Sequence, residues 1–100
     1  MSVYVIGRVD VDPAAIKKLW DERPADFSDV SADARSQGCT SHVWGFGDGY
    51  VTLIDEWPDA GTFQQFFSSN QKIPELMAAA GVTAEPKFDI VEVAVGPDTF

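Results

Sequence analysis

The chain has 100 residues, 45% of them hydrophobic, which suits a single domain spanning 1–100 with a small core. Sixteen Asp plus Glu against seven Lys plus Arg give a formal charge of −9, which argues against a nucleic-acid backbone or an anionic membrane as partner. The lone Cys39 allows no disulfide within the chain, no run approaches the roughly 20 apolar residues of a membrane span, and "MSVYVIGRVDVD" is too short and too charged for a signal peptide, so the expected location is the cytoplasm.

"SVYVIGRVDV" is rich in β-branched residues and reads as a first strand. Asp12-Pro13 marks a helix start, since aspartate caps free amides and proline lacks only an N–H that would have had no partner. Ile16, Leu19 and Trp20 form its apolar stripe, and Arg23-Pro24 interrupts or ends it. Phe27, Val30 and Ala34 resume helical spacing up to Gly38, a left-handed terminator. "CTSHVWGF" and "YVTLIDEW" are two strands around Gly47-Asp48-Gly49, a tight turn centred on either Gly47-Asp48 or Asp48-Gly49. A helix follows from about Asp59, with Phe63, Phe66 and Phe67 on one face. Pro74 is expected to break it, with Ile73, Leu76, Met77 and Ala80 forming a second short amphipathic helix that stops at Gly81. "FDIVEVAV" is the last strand, closed by Gly96-Pro97.

The order β-α-α-β-β-α-β implies an α+β, ferredoxin-like domain: a four-stranded antiparallel sheet with helices on one face. Parity along the hairpin puts Thr40, His42, Trp44 and Phe46 with Val51, Leu53, Asp55 and Trp57 on one face. Cys39, Ser41, Val43, Thr52, Ile54 and Glu56 fall on the other, which is still partly apolar. Helices cover only one face, so a second copy packing on the other, as a C2 homodimer, is expected; a monomer with some exposed Val and Ile is the alternative.

Trp57, at a strand end where a helix begins, either lids the core or stacks an aromatic ligand. His42 shares a face with Asp55 on the neighbouring strand, directly opposed if the turn is centred on Asp48-Gly49. The pair is either a proton acceptor with its orienting carboxylate or a cross-strand polar pair. Trp44, Phe63 and Phe67 supply apolar wall for a small aromatic ligand. Asn70 either bonds a ligand oxygen or caps the chain, and Arg8 either binds a carboxylate or phenolate or sits on a solvated edge or in an intersubunit ion pair. One His and one Cys are too few for a zinc site, "GFGDG" is followed by neither GK[ST] nor a helix, and nothing calls for flavin or nicotinamide, so no metal or cofactor is expected.

The stretch "DEWPDAGTFQQFF" resembles the third-strand end and following helix of antibiotic-biosynthesis-monooxygenase-like (ABM) domains in the dimeric α/β-barrel superfamily, with Glu56, Trp57, Asp59, Phe63 and Phe67 carrying the likeness. The resemblance extends over most of 3–95 and implies a dimeric α/β barrel with a pocket in each subunit between sheet and helices. It implies an oxidoreductase, a cofactor-independent monooxygenase of a small aromatic or quinol substrate, in which Asn, Trp and Tyr side chains orient the substrate; Asn70, Trp57, Trp44 and Tyr4 offer those types here. The haem-degrading branch uses a first-strand Asn and a His on the helix after the third strand, and this chain has neither. A non-catalytic small-molecule-binding or structural dimer is the alternative reading.

Overall fold

The computed structural model describes all of residues 1–100. The alternating first segment forms β1 (Val3–Val9), with Val5, Gly7 and Val9 buried and Tyr4, Ile6 and Arg8 exposed. Helix α1 (Pro13–Glu22) starts where Asp12 Oδ1 accepts the Ala14 N–H at 3.0 Å, and it buries Ile16 and Leu19. Pro24 cannot continue the hydrogen-bond ladder, so α1 closes at Arg23, whose N–H donates to the Leu19 carbonyl, and Pro24 opens α2 (Pro24–Ser36). Gly38 takes φ 116°, and a Cβ there would lie 2.9 Å from Pro58 Cγ, so the turn out of α2 requires glycine twice over.

Strands β2 (Ser41–Phe46) and β3 (Val51–Trp57) pair with Phe46 opposite Val51, which centres the turn on Asp48-Gly49. Of the two registers open in the sequence, this one opposes His42 and Asp55 directly. Cys39 departs from its expected side. It precedes β2, its N–H is held by the Ala34 carbonyl at 3.0 Å, and it lies in the core beside Ala34 and Trp57 rather than with Ser41 and Val43.

Helix α3 (Ala60–Ser69) is capped by Asp59, whose Oδ1 accepts from the Thr62 N–H at 2.7 Å and its hydroxyl at 2.8 Å. The break after α3 is made by Asn70, not by Pro74. The Asn70 backbone turns extended, and its Oδ1 accepts the amides of Lys72 and Ile73 at 3.0 and 3.2 Å. Pro74 sits in the first turn of α4 (Lys72–Ala79), where its missing donor costs nothing. β4 (Lys87–Glu92) ends before Val93, three residues earlier than the apolar run suggests.

The sheet order is β2-β3-β1-β4, antiparallel throughout, and the chain reads βααββααβ once the last helical segment is divided in two. One core cluster joins Val5, Ala34, Cys39, Trp57, Phe63 and Phe66; a second joins Val9, Val11, Ile16 and Val51. Both lie on the helix-covered face. Each large side chain buried there contributes about 1.5–3 kcal/mol. Ion pairs tie α2 to α4: Arg23 bridges Asp26 and Glu75, and Lys72 reaches Asp26 at 2.9 Å and Asp29 at 3.0 Å. No helix is long and apolar enough to cross a membrane.

The other sheet face carries no helix. Tyr4, Ile6, Val43, Ile54 and Val91 are all exposed there. Register makes Val43, Ile54 and Ile6 one row across three strands, with Tyr4 and Val91 paired beside it.

Candidate active site between the sheet and the helices

A cavity of about 790 Å³ separates the inner sheet face from the helices, within the size range of small-molecule sites. Its walls are mostly apolar. Trp20 and Phe27 from α1 and α2 meet Trp44 on β2, with ring centroids 5.7 and 6.4 Å from the Trp44 ring. Across the cavity, Phe63 and Phe67 pack on Phe88 at 5.2 and 5.0 Å. Gly7 in mid-β1 makes room: a Cβ there would stand 2.7 Å from the Phe88 ring. The space therefore lies between two groups of packed aromatic rings at opposite edges of the sheet, on β2 and β4.

Polar groups in the wall are few. From β3, Asp55 is 9% exposed and bonded twice. Its Oδ1 lies 2.5 Å from His42 Nδ1, and its Oδ2 accepts the Trp57 Nε1–H at 3.2 Å. Indole N–H only donates and a carboxylate only accepts, so His42 presents Nδ1–H to Asp55 and neutral His42 carries its lone pair on Nε2. Nε2 has no partner in the chain, and the His42 side chain keeps 38% of its surface exposed. The arrangement can take a proton from an acidic ligand, with Asp55 steadying the imidazolium that forms.

The sequence-expected residues divide between four places. His42, Asp55, Trp44, Phe63 and Phe67 line the cavity together. Trp57 lies behind it with no exposed surface, against Phe63 and Phe66 at 5.7 and 5.1 Å. It cannot stack a ligand; it holds Asp55 instead. Asn70 also stands outside the wall. Its amide donates one N–H to Asp33 at 2.7 Å and its oxygen caps α4, so its side chain ties α2 to the start of α4 rather than facing the cavity. Tyr4 and Arg8 project from the opposite sheet face, where the Arg8 guanidinium covers the Tyr50 ring at 3.9 Å and reaches Asp10 at 3.4 Å.

Part of the wall lies outside the residues that the sequence singles out. Trp20 reads there only as helix core, and Phe27 likewise. Ser28, Ser31 and Arg35 from α2 also line the cavity. Their spacing of three and four residues was the available signal for a polar stripe beside the apolar one. Burial pushes the Cys39 thiol up from its ordinary value, with the Asp55 charge adding to the shift, so the one thiol in the wall is a poor nucleophile.

No protein-family model and no curated protein matches the sequence. Solved structures do. SnoaB of Streptomyces nogalater, a cofactor-independent oxygenase, is 16% identical, with 98% of each chain covered and a TM-score of 0.64. An antibiotic biosynthesis monooxygenase candidate from Deinococcus radiodurans is 13% identical over 98% of each chain, with a TM-score of 0.65. The protein NE2512 of Nitrosomonas europaea, of unknown function, is 19% identical over 99% of this chain and 95% of that one, with a TM-score of 0.63. At such identities the likeness is one of fold, and the fold hosts more than one function. The chain has the ferredoxin-like α+β fold of antibiotic-biosynthesis-monooxygenase (ABM) domains, a likeness that covers nearly its whole length.

Proposed function

We propose that the protein is a homodimeric, cofactor-independent monooxygenase of a small aromatic or quinol substrate. The observation that carries this reading is a base with a free Nε2, His42 oriented by Asp55, in the wall of an aromatic-lined cavity. SnoaB, a cofactor-independent oxygenase on a similar fold, adds to it.

In this scheme a phenolic or enolic substrate lies between the Trp44 and Phe88 sides of the cavity. His42 Nε2 takes its proton, and Asp55 steadies the charge on the imidazolium. The resulting anion supplies electrons to dioxygen. For a quinol, one oxygen atom enters the ring, the other leaves as water, and the product is a hydroxyquinone. The substrate provides all the electrons, and the apolar walls keep bulk water from the intermediate.

The dimer in this proposal forms through the uncovered sheet face. Ile6, Val43 and Ile54 are each at least 38% exposed in one row, an apolar surface larger than single scattered residues explain. An isologous pairing of two such faces buries the row on both copies.

The second reading, a non-catalytic binding module of the same dimeric form, draws on the small polar set. With Trp57 buried and Asn70 engaged in capping, His42 and Asp55 are the polar candidates left in the wall from the expected set. Oxygen uptake with product analysis over a panel of quinols and polycyclic phenols, without metal or flavin, separates the two. Enzyme-dependent product above autoxidation supports the oxygenase; ligand binding with no product supports the module.

A further inference from the structure

The chain has three arginines. Arg8 pairs with Asp10, and Arg23 pairs with Asp26 and Glu75. Arg35 has neither an ion pair nor a side-chain hydrogen bond, in a protein with sixteen carboxylates. It is also the one lysine or arginine in the cavity wall. Ser28 and Ser31 lie on the same α2 face at helical spacing, line the same cavity, and their hydroxyls make no hydrogen bond in the chain. Across from them, Thr40 just before β2 and His42 on β2 line the cavity. The polar side of an otherwise apolar cavity therefore runs between α2 and β2, and its fixed positive charge is Arg35.

Arg35, Ser28 and Ser31 are exposed at the rim of the cavity, so their donors are hydrated and open to an incoming ligand. A cation in the last turn of α2 does complement the helix dipole, but that effect needs no opening beside it. A guanidinium fork matches a carboxylate with two parallel N–H···O bonds, and flanking hydroxyls add donors. The chain's overall negative charge repels anions, so an anionic ligand needs one local cation to be admitted.

Building on the reading of the cavity as an aromatic site, we propose that its ligand is an aromatic carboxylic acid. The ring system lies between the aromatic walls, and the carboxylate is bound by Arg35 with Ser28 and Ser31. The acidic hydroxyl of the same ligand faces His42.

Calorimetric titration of the full chain with two probes tests this: 3-hydroxy-2-naphthoate, and 2-naphthol, which lacks the carboxylate. The wild type is expected to bind the acid about fivefold more tightly than the naphthol at low salt, the upper range for an ion pair open to solvent. Arg35→Gln is expected to remove that preference and leave naphthol affinity unchanged, while Arg35→Lys keeps part of it. Circular dichroism checks that the variants are folded. Persistence of the preference in Arg35→Gln, or equal loss of both probes, overturns the proposal. A wild type that binds both probes alike overturns the Arg35 role and leaves the aromatic cavity standing; one that binds neither overturns both.

Discussion

His42 Nδ1 lies 2.5 Å from Asp55 Oδ1 because β2 and β3 oppose these residues directly on the helix-covered face. The same carboxylate accepts the wholly buried Trp57 N–H. Asp55 thus serves the core as well as the candidate base. Asp55→Ala leaves a buried indole N–H without a partner, a loss of about 1–3 kcal/mol. His42→Ala is expected to cost less, because His42 is partly exposed and leaves Asp55 with one donor still in place. Urea unfolding of the two variants checks the order. Equal losses would mean that the Trp57 bond contributes nothing.

Gly7 keeps the cavity open. In Gly7→Ala the new Cβ meets Phe88 at 2.7 Å and drives the ring into the space a ligand would use. Overpacking of this kind costs about 1–3 kcal/mol. Binding of 2-naphthol is expected to weaken by an order of magnitude or more in this variant while the fold persists. Unchanged binding would place the ligand elsewhere.

Acid titration has a readable sign. Asp26 is held below the ordinary carboxylate value of 3.8 by Lys72 and then Arg23, Asp33 by Asn70 and then Gln37, and Asp59 by the Thr62 backbone and then its hydroxyl. A depressed folded pKa means that the unfolded chain binds protons first as pH falls. The stability these groups contribute is present above 3.8 and lost as pH drops through their folded values. Asp59→Ala is expected to lower Tm at pH 7 by about 3–6 °C through loss of the α3 cap, with a smaller effect at pH 2.5. Thermal melts at the two pH values decide it; equal shifts would contradict the cap assignment.

The uncovered sheet face makes a prediction about assembly. Ile54 stands at the centre of the Val43–Ile54–Ile6 row. Ile54→Lys puts a charge into the proposed interface and is expected to give a monomer of about 11 kDa, while wild type scatters as twice its 10.9 kDa. Light scattering over a range of concentrations checks both. A monomeric wild type would remove the dimer.

The faces of β2 and β3 were legible from strand parity, since a period of two leaves little freedom once the turn is found. The turn centre was not, because Gly47, Asp48 and Gly49 suit either register; pairing of Phe46 with Val51 decides it. The α3 break was legible, but its cause was misplaced. Proline marks the region, yet Asn70 supplies the cap, and a side-chain cap depends on where the amides fall in space. Half of the site was legible for the same reason as the sheet: His42, Asp55 and Trp44 share strand parity. Trp57 also shares it, but the packing of Phe63 and Phe66 over the strand end decides its burial, and the sequence holds no record of that depth. Arg35 escaped because an unpaired cation is defined by partners it lacks, which only the folded arrangement reveals.

The most direct test of the central claim is oxygen-dependent turnover by wild type and His42→Gln on the same quinol or polycyclic phenol, with both proteins shown to have the same assembly state and melting behaviour. A positioned base contributes about 10²–10⁴-fold. A fall in kcat/KM within that range is expected for His42→Gln, with ligand affinity nearly unchanged. Equal turnover by the two proteins would contradict it.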